Sequence, residues 1–215
     1  MKIINTEVYG IYAAMRGMRN PMNSWHLQDS IKYDDTIYYE DLSMISENCM
    51  IGEKDLDLAQ RLIKAGTEHC KFLRQIQVWA DFNMPLYWWS EFDTYKFNTK
   101  NSCSTMHKLL NPKKEIELSD FTYDKDQENM LQAVINVLNG YRKCYLLSKD
   151  YNYVIKAKRL LPTSYKQLRT VNTNYAELRN IYFQRKNHRL KEEWQDVFCK
   201  WVESLPYAKE LILYK

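Results

Sequence analysis

Glycine is almost missing from this chain, with 5 in 215 residues, whereas tyrosine and tryptophan number 17 and 6. So few positions without a Cβ leave few flexible loops and no glycine-rich loop to cradle a phosphate. The surplus of large amphipathic rings suits sites or interfaces where one ring edge stays polar. The length fits a single domain over 1–215 that can bury a real core. Hydrophobic residues at 45% and charged residues at 27% are ordinary for a soluble globular protein.

The formal charge of +4 is unevenly spread. Residues 151–215 carry 13 Lys+Arg against 6 Asp+Glu, a net +7, which leaves −3 for 1–150. A basic patch of this size fits a phosphate-bearing ligand or a solvated helix face, and extended nucleic acid is not expected as a partner. Five scattered cysteines, odd in number and with no C-x-x-C pair, read as reduced thiols of a cytoplasmic protein, since no signal-peptide pattern precedes them. No run approaches the roughly 20 apolar residues of a membrane span. Four dispersed histidines give little support for a metal site.

Two segments carry the strongest helical period. Over 55–80, Ala59, Leu62, Ile63, Gly66, Cys70, Leu73, Gln77 and Ala80 share one stripe, which predicts one long helix with Asp55 and Asp57 near its positive end. Over 129–148, Met130, Leu131, Val134, Ile135, Leu138, Tyr141, Tyr145 and Leu146 do the same. The alternating start, 2–10, reads as a strand. The aromatic run 86–97 reads as extended, and 101–104 offers caps for a short helix reaching Leu110. Residues 113–126 form a charged connector, 165–171 a strand or extended loop, and helices are expected near 175–185 and 190–204. Residues 11–50 are broken by Pro21 and Asn23-Ser24 and show no clear period.

Near the C-terminus, Leu161-Pro162 precedes Asn172-Thr173-Asn174, and Asn174, Leu178, Asn180 and Arg185 then recur at offsets of four, six and eleven. Eleven residues are three turns plus about 20°, so Asn174 and Arg185 share a helix face. A carboxamide and a guanidinium there could grip a nucleotide, or Asn174 could be a helix cap and Arg185 a surface ion-pair partner. With Glu193 and Pro206 following, this order resembles the flavin-dependent thymidylate synthase family. Further upstream, Glu68-His69 resembles a pair that precedes the family signature. Aligning Ser104 with the second Ser of that signature places Glu91 on its Gln, Thr94-Tyr95-Lys96 on its Arg-His-Arg and Thr99 on its first Ser. The run from Tyr87 to Lys96 with 101–107 is also similar to a divergent branch found in Firmicutes and their phages.

The resemblance implies an α+β fold with a mostly antiparallel sheet flanked by long helices, FAD as a cofactor, and a homotetramer with sites between subunits. It carries nucleotide-binding roles onto Arg185, Asn174, Asn180, Lys96, Ser104, Tyr95, Glu91, Thr99 and His69. Because Thr94-Tyr95 replaces two basic residues while Glu91 and Asp93 add carboxylates, standard dUMP methylation is not expected. A non-catalytic nucleotide-sequestering protein, or a relative that keeps the fold alone, are the other readings. Trp88, Trp89 and Tyr95 are either a stacking wall or core, and His69 and His107 either catalytic or structural. Cys103 is either a reactive thiol at a helix start or a small buried side chain.

Overall fold

A computed structural model of the chain describes residues 1–39 and 43–215. β1 (Lys2–Tyr9) leads into α1 (Ile11–Gly17), then β2 (Ile31–Tyr38), β3 (Met44–Met50), α2 (Glu53–Ala65) and β4 (Gln77–Pro85). Next come α3 (Leu86–Phe92), β5 (Thr99–Ser102), α4 (Thr105–Lys108), α5 (Glu128–Ser148) and α6 (Asn152–Leu160). β6 (Lys166–Asn174) and α7 (Tyr175–Arg185) follow, and a π-helical stretch, Glu192–Cys199, runs into the short α8 (Lys200–Glu203). The strands form one mixed sheet in the order β2-β3-β1-β4-β6-β5. β1 is parallel to β3, with Thr6 opposite Met44, and β2 is antiparallel to β3. This is the α+β class, a sheet with flanking helices, that the resemblance implies. Among the described residues no helix is long and apolar enough to cross a membrane.

Two expectations fail. The predicted helix over 55–80 stops at Ala65, because Gly66 takes φ +113°, a conformation open to glycine but strained for other residues. The apolar stripe beyond it is shared between a 3-10 turn, Lys71–Gln75, and the start of β4, where Val78, Ala80 and Phe82 are buried at every second position. The run 86–97 is not extended, since its first seven residues form α3. Strand propensity of aromatics yields here to packing: Trp88, Trp89 and Phe92 cluster with Phe82, ring centroids 4.8–6.1 Å apart. The Leu86 and Tyr87 amides that open α3 donate to the Tyr165 and Thr163 carbonyls, 3.0 Å each, which satisfies two of its first-turn donors. Helix α6 had no clear signal in the sequence.

The chain forms two compact units. One holds Met1, Phe82–Thr94 and Asn101–Arg169, the other Lys2–Asp81, Tyr95–Lys100 and Thr170–Lys215. In the first, Leu131, Ile135 and Leu138 of α5 pack with Val154 and Ala157 of α6 and with Leu109, Leu110, Ile116 and Phe121. The charged connector is tied down rather than loose. Buried Arg142 donates to the Asn111 and Pro112 carbonyls at 2.7 and 2.9 Å, and Asn139 exchanges hydrogen bonds with Ile116.

In the second unit, buried Val8, Ile11, Met15, Phe72, Leu73, Tyr175, Leu178, Ile181, Trp194 and Phe198 form the core. Gly10 joins β1 to α1 at φ +95°, and a Cβ there would collide with the Gln75 carbonyl oxygen. Buried Asp55 anchors α2. It pairs with Arg19 at 2.6 Å and accepts from the Ser30 amide at 2.9 Å, while Asp29 accepts from the Lys54 and Asp55 amides.

Candidate functional site

Helix α7 organises the site, and local chemistry explains why it starts where it does. The Asn174 side chain accepts from the Glu177 amide at 3.0 Å, capping the first turn, while Arg185 lies in the last turn where a cation suits the dipole. Tyr175, Leu178 and Ile181 bury one face. The opposite face carries Ala176, Asn180, Phe183 and Gln184, at steps of four, three and one, into a hollow of about 420 Å³. Thr67, Cys70, Leu73 and Arg74 line its other side, and Phe97, Glu177 and Arg179 complete it.

A second hollow of about 300 Å³ is lined by Lys96, Asn98, Thr99 and Asn172 together with Phe97 and Asn174. Those last two residues line both hollows, the larger and the smaller lobe of the candidate site. The larger lobe has flat walls. The Arg74 guanidinium lies 5.3 Å from the Phe97 ring centroid, and that of Arg179 lies 4.9 Å from Phe183. Burial lowers the pKa of Arg179, which stays a cation at neutral pH and donates to the carbonyls of Ile212 and Tyr214. Among the described residues neither Arg74 nor Lys96 has a carboxylate within ion-pair distance. The Asn98 Oδ1 atom is buried without a hydrogen-bond partner.

Behind the larger lobe runs a relay of side chains. Arg185 Nε donates to the Tyr95 hydroxyl at 2.8 Å, Tyr95 donates to Gln184 Oε1 at 3.2 Å, and Gln184 Nε2 donates to Asn180 Oδ1 at 2.7 Å. The Arg185 guanidinium also sits 4.6 Å from the Trp194 ring and 5.5 Å from the Tyr95 ring.

The residues singled out from sequence therefore divide. Asn174 and Asn180 line the larger lobe, with Asn174, Lys96 and Thr99 in the smaller one. Asn174 caps α7 and also lines both lobes. Tyr95 and Arg185 brace the wall, and neither is among the lining residues of these lobes. His69 is exposed and lines a separate hollow of about 530 Å³ beside Glu68. Glu91 and Ser104 belong to the other unit. Ser104 caps α4 by accepting from the His107 amide, and Glu91 lies on α3.

Trp88 and Trp89, 0% and 1% exposed, are core and offer no stacking wall. Cys103 is exposed, which overturns its reading as a small buried side chain. No group of three or more His, Cys, Asp or Glu that could hold a metal occurs among the described residues. Sequence reasoning missed Arg74, Phe97, Phe183 and Gln184. The i, i+3, i+4 spacing of Asn180, Phe183 and Gln184 on one predicted helix was the available signal; Arg74 and Phe97 had none.

No protein-family model and no curated protein matches the sequence. Solved structures do match. Two crystal structures of the flavin-dependent thymidylate synthase ThyX from Helicobacter pylori, both with FAD and dUMP, cover all of this chain and 98% of theirs. Their TM-scores are 0.68 and 0.70, each at 19% identity. Likeness along the whole chain, at an identity too low to carry function, leaves the conclusion that this protein has the fold of the flavin-dependent thymidylate synthases.

Proposed function

We propose that the two-lobed site on α7 binds a nucleotide, FAD or both, in a cytoplasmic protein that does not carry out standard dUMP methylation. The observation that carries this reading is the lining itself: Arg74 and Lys96, with no carboxylate within ion-pair distance among the described residues, beside the rings of Phe97 and Phe183 in hollows of nucleotide scale. The residues fit FAD. Arg74 and Lys96 suit its phosphates, Phe97 and Phe183 its flat rings, and the orphaned Asn98 Oδ1 a hydrogen-bond donor. Bound FAD would supply a hydride carrier; the chain's own residues bind and orient it.

Loss of the methylation chemistry is argued at the triplet. Tyr95 directs its hydroxyl to Gln184 and Arg185, which makes it a brace rather than a phosphate ligand, and Lys96 is the remaining cation of the three. The same observation favours a second reading, a nucleotide-sequestering protein of the phage branch that performs no chemistry. An absorption spectrum of the purified protein, with titrations of FAD and dUMP, separates them. A flavin band or FAD binding supports the first reading, a nucleotide without flavin the second, and no binding of either ligand refutes both.

The reading extends to a homotetramer. Trp25, Tyr33, Tyr38 and Trp79 are exposed, and β2 is an edge strand exposed along nearly its whole length, as suits a surface that another subunit covers. Light scattering that returned a ~26 kDa monomer at micromolar concentration would overturn it.

A further inference from the structure

Glu177 stands out in the larger lobe. It is only 5% exposed, yet among the described residues no hydrogen bond or ion pair reaches its carboxylate. Neither oxygen is a sealed, unpaired atom, and Glu177 is one of the residues that line the hollow. The two guanidiniums of the lobe are turned elsewhere, Arg179 to backbone carbonyls and Arg74 to the Phe97 ring. Asn174 already takes the helix-start amide of Glu177 itself.

Buried polar groups are almost always paired, and an unpaired buried carboxylate costs free energy. Such a group persists where function needs it. Its oxygens keep some solvent access, so water can answer them in the free protein and a donor brought by the ligand can replace that water. Phe97 and Phe183 supply flat apolar walls, and the Asn180–Gln184 amides lie on the same helix face, surroundings that suit a heterocyclic base.

The geometry points to Glu177 as the residue that selects a base bearing an exocyclic amino group over one presenting a carbonyl at that edge. A carboxylate is acceptor-only, so it takes a hydrogen bond from an amino group and is repelled by a facing carbonyl oxygen. FAD satisfies the requirement through its adenine, and the inference rests on the nucleotide-binding reading given above.

The test uses AMP and IMP, which differ in a 6-amino against a 6-oxo group, titrated calorimetrically into the full-length protein. Wild type is expected to prefer AMP by about tenfold or more, and Glu177→Gln, whose amide both donates and accepts, to lose that preference. Equal affinities for wild type, or a preference kept in Glu177→Gln, overturn the inference and leave nucleotide binding intact. If AMP, IMP and FAD all fail to bind wild type, the nucleotide reading itself fails and this inference with it. Thermal unfolding without ligand gives an independent measure. Glu177→Gln unfolding at the same or a higher temperature is expected of a group kept for a ligand, whereas a drop of several degrees marks Glu177 as structural and overturns the assignment.

Discussion

Replacing Arg185 with alanine separates a bracing role from direct ligand contact. Among its contacts, the guanidinium gives a charge-assisted hydrogen bond to the Tyr95 hydroxyl and lies over the rings of Tyr95 and Trp194. Hydrogen bonds to charged groups contribute about 1.5–3 kcal/mol, and each cation–π contact roughly 0.5–1 kcal/mol at partial exposure. Contacts from one group are not additive, so the expected loss from these is about 2–4 kcal/mol. At roughly 2–4 °C per kcal/mol for a chain of this size, Tm falls by about 4–16 °C. Removing Arg185 also frees the Tyr95 hydroxyl and loosens the Gln184–Asn180 wall, so FAD or nucleotide affinity should fall in step with stability. Calorimetric unfolding and ligand titration of the same preparation read both. Arg185→Lys keeps the charge but not the planar stack, and should sit between wild type and alanine in both measurements. A stability change under ~1 kcal/mol with a tenfold or greater loss of affinity would refute the brace and place Arg185 against the ligand.

No turnover of dUMP is expected with methylene-tetrahydrofolate, FAD and NADPH, and steady thymidylate formation would refute the reading of Tyr95 and Lys96. Asp55→Ala strands the buried Arg19 guanidinium and should destabilise the fold by about 3–5 kcal/mol, measured by denaturant titration, whereas a change under ~1 kcal/mol would show the pair is dispensable. Native thiol labelling should modify exposed Cys103 and Cys144 and spare Cys49 and Cys199, whose pKa values burial pushes up to about 12. The thiolate is the reactive form, so the spared pair should gain reactivity only as pH rises toward that value, and rapid labelling of either near pH 8 would contradict their environment.

What could be read in the sequence was what local chemistry decides. Helices α5 and α7 carry continuous period-3.6 stripes or a side-chain cap, and both fall where they were expected. The stripe over 55–80 misled because turn and strand residues can continue a helical pattern by coincidence, while one glycine at positive φ breaks the helix. The aromatics of α3 misled for the opposite reason, since their partners lie at Phe82 and in each other rather than in the local propensity scale. Within the site, Asn174 and Asn180 were legible because one helix supplies both. Arg74 and Phe97 were not, because tertiary packing alone carries a 3-10 turn and a loop residue to that helix. Glu177 looked like an ordinary first-turn acid, and nothing in its sequence position announces a buried carboxylate that no hydrogen bond or ion pair reaches among the described residues.

The lining of the larger lobe comes from 67–74, 97 and 174–184. A ribosome therefore delivers one wall about a hundred residues before the helix that completes it. With its exit tunnel enclosing the newest residues, α7 emerges well after the Arg74 wall has left the ribosome. Truncated or stalled products contain the Arg74 side and no site. A ligand that binds the completed lobe can rescue only chains that extend through α7, because its binding energy adds to stability only in a state that has the site. In a cell, ligand supply would then govern how much finished protein survives proteolysis, and leave the fate of unfinished chains unchanged.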